Sequence, residues 1–211
     1  MTIPSGRPNI ERFASKFIEG YLFHDLAAMA KVEARPPPDR YGDLSYPIVQ
    51  TCLAGIELLG GLLNTEPFKG WKRSEHYFCS YWSDYMSQVD RAYGKALPSP
   101  KQIYALARNG VAHQFLTKPG IDVVKRRDRA GHLTVDSAAE WTITVDCLLL
   151  AEDLQDSYLR FVRPLIYPTA GGSPTAVVPG RDSINDRLQE MLEDYETEGK
   201  KFMGRLPRYQ G

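Results

Sequence analysis

Cysteine is scarce in this chain: of 211 residues only Cys52, Cys79 and Cys147 carry a thiol. They lie well apart, form no Cys-x-x-Cys pair, and each falls in a stretch patterned as a buried helix. This argues against a disulfide framework and a cysteine zinc site, and for a reduced, intracellular, cytoplasmic setting. Net charge is missing as well, since 26 Lys and Arg balance 26 Asp and Glu. A whole-chain electrostatic grip on nucleic acid is therefore not expected, and any such contact has to be local. No apolar run makes a convincing membrane span. The most apolar segment, Leu44 to Leu63, contains Glu57 and three glycines. The opening MTIPSGRPNIERF has no apolar signal core. The histidines His24, His76, His113 and His132 show no ligand spacing, so no metal and no cofactor is expected. A glycine-rich phosphate loop, a Ser-His-Asp order, paired catalytic carboxylates, internal repeats and low-complexity tracts are all absent.

What is present is an ordinary globular composition, 43% hydrophobic and 25% charged, enough for one core with an appendage. Periodicity predicts a helix over Ile10 to Ala34, with Gly20 as a candidate break and Arg35-Pro36-Pro37-Pro38-Asp39 as its stop. Tyr46 to Asn64 is apolar nearly all round, which marks a central helix. Ser74 to Tyr93 repeats aromatic residues at helical spacing. Such a stripe serves a core or a dimer interface, or stacks nucleobases. Ile121 to Lys125, His132 to Val135 and Trp141 to Val145 read as a small antiparallel sheet turning at Arg127 to Gly131. The basic cluster Lys125, Arg126, Arg127 and Arg129 is a solvated tip or a phosphate contact. Asp146 caps a long helix with Leu150, Leu154, Tyr158, Phe161 and Leu165 inward and Asp153, Asp156, Arg160 and Arg163 off that face; Pro164 and Pro168 end it. A Pro/Gly/Thr-rich connector leads to an amphipathic helix from about Ser183 to Glu196, with Ile184, Leu188, Met191, Leu192 and Tyr195 inward, and to a basic tail. The appended helix either folds back on the core or embraces a second subunit.

The chain is organised around Ser99 to Leu116, SPKQIYALARNGVAHQFL. Ser99, Pro100 and Gln102 make a capping box with proline at the first helical position. Ile103, Ala107, Val111 and Phe115 form one apolar stripe. Beside it sit Arg108, Asn109 and His113. Asn109 and His113 are four apart and share a face, and Arg108 lies about 100° round from Asn109. A guanidinium offers a fixed fork of donors to a phosphate, and an imidazole moves protons near neutral pH. Glu57, the lone charge between Asp43 and Glu66, either pairs with an arginine or a backbone cap, or orients Arg108 or His113. On the bland alternative, Arg108 simply pairs with Glu57 and His113 is a satisfied core histidine. A second Arg-x4-His pair, Arg127 and His132 in RDRAGH, reads as a charged turn between strands.

Arg108-Asn109-Gly110-Val111-Ala112-His113, with this order of helices, resembles the HEPN family (higher eukaryotes and prokaryotes nucleotide-binding domain). Its ribonuclease members carry Arg, four to six residues, then His, often with a polar residue directly after the Arg. The resemblance covers roughly Ile10 to Leu165. A subgroup places Tyr two residues after the His where this chain has Phe115, which weakens any link to the members paired with nucleotidyltransferases. The resemblance implies a mainly all-α fold: a bundle of four to five helices over residues 9–166 with a small antiparallel β-hairpin insertion, then a connector, amphipathic helix and basic tail over 167–211. It implies metal-independent cleavage of single-stranded RNA by attack of the ribose 2′-hydroxyl, at a site built across a homodimer. His113 would be general acid or base, Arg108 would stabilise charge, Asn109 would orient the phosphate or the imidazole, and Glu57 would support them. It also implies a toxin or phage-defence setting, away from any membrane, with an antitoxin or regulatory partner left open. The alternative is a non-catalytic nucleotide-binding or protein-interaction module on the same bundle.

Overall fold

A helix with almost no polar face has to be surrounded, and helix α2, Ser45–Leu63, is. Thirteen of its residues are buried, including Ile48, Cys52, Ile56, Leu59 and Leu62. Among the described residues it alone is long and apolar enough to cross a membrane, and 67% of its most apolar window is buried by the rest of the fold. The structure is a computed structural model and describes residues 9–33, 44–66, 68, 73–108, 120–137, 141–168 and 181–203. Of Ala107, Arg108, Arg181 and residues 199–203 it describes the backbone alone.

Around α2 pack helices that each combine α-helical and wider π-helical turns. Helix α1 runs as Ile10–Phe13, Ala14–Phe23 (π) and His24–Ala30, unbroken at Gly20. Asn9 starts it by accepting from the amides of Glu11 and Arg12. Helix α3 comprises Ser74–Tyr81, Trp82–Met86 (π) and Ser87–Val89, and stops at the extended Asp90, short of the expected Tyr93. A 3₁₀ turn, Arg91–Gly94, follows. The aromatic stripe of α3 is core: Tyr77, Phe78, Tyr81 and Trp82 are buried and unavailable to nucleobases. Helix α4, Pro100–Ile103 and Tyr104–Arg108 (π), begins with the expected box. Ser99 Oγ accepts from the Gln102 amide at 3.3 Å, and Gln102 Oε1 accepts from the Ser99 amide at 2.8 Å.

The sheet departs from the antiparallel expectation. Strands β1 (Ile121–Val124), β2 (Thr134–Asp136) and β3 (Thr142–Asp146) lie in the order β1-β3-β2. β1 pairs parallel with β3, Ile121 opposite Ile143, while β2 pairs antiparallel on the other edge, Thr134 opposite Thr144. The turn after β1 therefore crosses over β3 and does not close a hairpin; β3, with Ile143, Val145 and Asp146 buried, takes the centre.

Helix α5 follows β3 directly as Cys147–Ser157, Tyr158–Val162 (π) and Arg163–Ile166. Its period differs from expectation. Leu150, Leu154 and Tyr158 are buried, but the stripe continues through Val162 and Ile166, leaving Phe161 and Leu165 half-buried. The wide turn slows the rotation of the helix by about one residue. It also lets the chain pass Pro164, which has no amide to donate, so that the helix goes on to Ile166 and does not end at the proline. Helix α6, Arg181–Met203, is longer than expected and folds back on the same core, burying Ile184, Leu188 and Met191 but leaving Tyr195 68% exposed.

Candidate functional site

The four residues singled out in the sequence are placed unequally. Glu57 is 5% exposed, on the central helix α2. The backbone of Arg108 closes the described part of α4, and the turn Tyr104–Arg108 packs against α2. Asn109 and His113 lie outside the described residues. The fold thus brings the Arg108-bearing turn to the helix that carries Glu57.

The second Arg-x4-His pair is fully described, and its histidine belongs to the interior. His132 is 1% exposed. The Asp146 amide donates to its Nδ1 at 3.1 Å, so that nitrogen carries no proton. Neutral His132 holds its proton on Nε2, 3.0 Å from Tyr93 Oη. Tyr93 in turn donates to Asp153 Oδ2 at 2.8 Å. Arg129 closes the chain with a two-pronged contact on Asp153, Nη2 to Oδ1 at 3.0 Å, and reaches Asp90 at 3.1 Å. Burial drives the His132 pKa down to about 4, with Arg129 adding to the effect against the opposing pull of Asp153, Asp146 and Asp90. Burial, then the charge of Asp153, pushes the Tyr93 phenol well above its usual range. A histidine so held does not exchange protons near neutral pH.

Asp146 does comparable work at the junction of β3 and α5. It is fully buried. One oxygen accepts from the amides of Leu148 and Leu149, the expected cap, and the other accepts from Arg126 and Asp128 at 3.2 and 3.0 Å. Through that carboxylate the basic turn is tied to the start of α5. The basic cluster is mostly engaged as well. Lys125 Nζ caps the end of α1 through the carbonyls of Met29 and Val32, Arg127 pairs with Glu152 at 3.1 Å, and Arg129 serves Asp153. Lys125 and Arg129 make this segment a structural clasp, while Arg126 and Arg127 stay exposed.

Sequence reasoning missed Tyr93, Asp153 and Arg129 as a unit. Asp153 was expected off the buried face, yet it is 4% exposed. Its signal is the interval from Leu149 and Leu150 to Ser157, which places 153 in the buried row. Nothing local marks its partners, which come from 24 and 60 residues away.

A polar cleft of about 300 Å³ opens where α2 meets α3, between Asn64, His76, Asp84 and Tyr85. Glu57 does not line it, so it offers no enclosed chamber around that carboxylate. Among the described residues, no group of three or more His, Cys, Asp or Glu is arranged to hold a metal ion. Set against known proteins, the chain has no significant match to a family model, a curated protein or a solved structure.

Proposed function

We propose that this protein is a metal-independent endoribonuclease acting on single-stranded RNA, with Arg108, Asn109 and His113 as its reacting constellation at a homodimer interface. The observation that carries this reading is the fate of the rival pair. Of the two Arg-x4-His segments, Arg127/His132 is spent on the fold: His132 is sealed inside, and Arg127 holds Glu152. Arg108 lies instead on a capped helix packed on α2, where Glu57 is buried.

In the proposed reaction the ribose 2′-oxygen attacks the adjacent phosphorus and the bond to the 5′-oxygen breaks, leaving a 2′,3′-cyclic phosphate and a free 5′-hydroxyl. A base takes the 2′-proton and an acid supplies one to the leaving oxygen. His113 from each of two subunits would fill these roles, since an unperturbed imidazole titrates near neutral pH. Arg108 would meet the charge that builds on the phosphoryl oxygens, and Asn109 would orient the phosphate. Glu57 would position Arg108 or His113 from α2.

The test is cleavage of a single-stranded RNA in EDTA by the full chain and by His113→Ala and Arg108→Ala. Wild type is expected to leave 2′,3′-cyclic ends. Each variant should lose about a hundredfold or more in rate while keeping its circular dichroism and sedimentation behaviour. RNA left intact by the wild type in EDTA overturns the nuclease reading. Binding without cleavage would then identify a non-catalytic module.

A further inference from the structure

We propose that residues 125–133, the crossover between β1 and β2, form a latch that opens as a unit when His132 takes a proton, ahead of the helices around it. The inference is independent of the ribonuclease reading. It starts from a hydrogen bond that only a neutral imidazole can make. The Asp146 amide donates to His132 Nδ1 at 3.1 Å, so a proton on Nδ1 would set two N–H groups against each other. Nε2 is already engaged with Tyr93 Oη at 3.0 Å, and the ring cannot reach water while the segment stays closed. The residue that receives this disturbance also fastens the segment. Asp146 Oδ2 accepts from the amides of Arg126 and Asp128 at 3.2 and 3.0 Å. The other fastening is Arg129 on Asp153, a carboxylate shared with Tyr93. Both fastenings therefore run through the neighbours of one imidazole.

Inside the segment, the His132 amide donates to the Asp128 carbonyl and Asp128 Oδ1 accepts from the Ala130 amide, which makes it one piece. Its backbone favours release as well. Arg127 and Leu133 hold φ of +57° and +53°, left-handed values that cost a non-glycine residue energy and relax when the segment lets go. The charges facing His132 come from several elements. Asp146 at the start of α5, Asp153 within it and Asp90 just past α3 favour a charged ring. Burial and Arg129 of the latch itself oppose them and prevail. Tyr93 and, beyond it, the Cys52 thiol of α2 are held neutral by burial. The closed ring thus stays neutral down to about pH 4, whereas an imidazole in water charges near 6.5. Between those values acid favours the open latch.

The experiment is hydrogen exchange of the full chain, read by mass spectrometry at pH 7 and pH 5 and corrected for the intrinsic pH dependence of amide exchange. Two results are expected together. At pH 7 the amides of 125–133 should be at least about tenfold less protected than those of α2, because they exchange through an opening smaller than global unfolding. From pH 7 to pH 5 their protection should fall by about twentyfold, the factor set by a ring that titrates near 4 when closed and near 6.5 when open. His132→Gln should keep the first result and lose the second. Protection in 125–133 equal to that of α2 at both pH values overturns the latch, since the segment then opens only when the whole chain unfolds. Low protection that does not change with pH overturns it too, since such an opening leaves His132 in place. These wild-type comparisons decide the matter even if His132→Gln fails to fold.

Discussion

At position 153 a carboxylate sits in the buried row of α5, among Leu149, Leu150, Leu154 and Ser157. Asp153 is tolerable there because Arg129 and Tyr93 both donate to it, and Tyr93 in turn receives the Nε2 proton of His132. Each member satisfies the next, so removing one strands its neighbours. Tyr93→Phe keeps the ring and deletes the hydroxyl, leaving Asp153 and His132 each short of a buried partner. It should cost about 2–3 kcal/mol in urea unfolding. The same network sets a pH dependence. His132 titrates near 4 in the fold and near 6.5 unfolded. Between those values the unfolded chain binds a proton that the native chain refuses, so stability is full above about pH 6.5 and falls as the pH drops toward 4. The loss should approach 3 kcal/mol across the window, about 1.4 kcal/mol per pH unit. Unfolding curves between pH 7 and 4 should show this slope in wild type and lack it in His132→Gln. Equal slopes would mean that His132 reaches water.

At the scale of elements, helix α2 meets α3 at a separation that only glycine permits. A Cβ on Gly60 would fall 2.0 Å from the Tyr77 carbonyl oxygen, and backbone cannot yield as a side chain can. Its neighbour Gly61 faces the flexible end of Met191 at 3.4 Å, an ordinary contact. Gly60→Ala should therefore cost about 3 kcal/mol or more, whereas Gly61→Ala should be neutral or gain up to about 1 kcal/mol from helix propensity. Thermal unfolding of the two variants checks the contrast, and similar midpoints would mean that the α2–α3 contact is loose. These elements also show where local pattern ceases to inform. The box at Ser99, the cap at Asp146 and the apolar wrap of α2 depend on residues within a turn or two, and all were legible. The parallel pairing of β1 with β3 joins residues 22 positions apart in a register that no neighbouring residue encodes. The shift of the α5 stripe to Val162 and Ile166 follows from turns wider than the 3.6-residue period assumes. Of the candidate site, helix α4 and the burial of Glu57 could be anticipated; the network of Tyr93, Asp153 and Arg129 around His132 could not, because its members are far apart in sequence.

For the whole molecule the question is whether the C-terminal helix is an appendage or part of what holds the fold together. Its contacts favour the second. Asn185 accepts from the Ile10 amide at 2.9 Å, at the first turn of α1. Arg187, 8% exposed, donates to the carbonyls of Asn64 and Thr65 just past the end of α2, and Glu190 accepts from Phe68. Helix α6 thus supplies partners to backbone groups that helix ends leave unsatisfied, at α1 and α2 together. Ile184, Leu188 and Met191 add buried apolar surface that should stabilise the fold by roughly 5 kcal/mol or more. Typical domains hold only about 5–15 kcal/mol in all, so the remaining helices have little reserve. A chain truncated after Pro168 should lose its cooperative urea transition at 25 °C and bind a hydrophobic dye, while Arg187→Met should lower the unfolding free energy by about 1–2 kcal/mol and keep cooperativity. A truncated chain that unfolds cooperatively at the wild-type midpoint would make α6 an independent attachment. The expected result makes it the clasp between the N-terminal helix and the central one, and any ribonuclease assay then has to be run on the full chain.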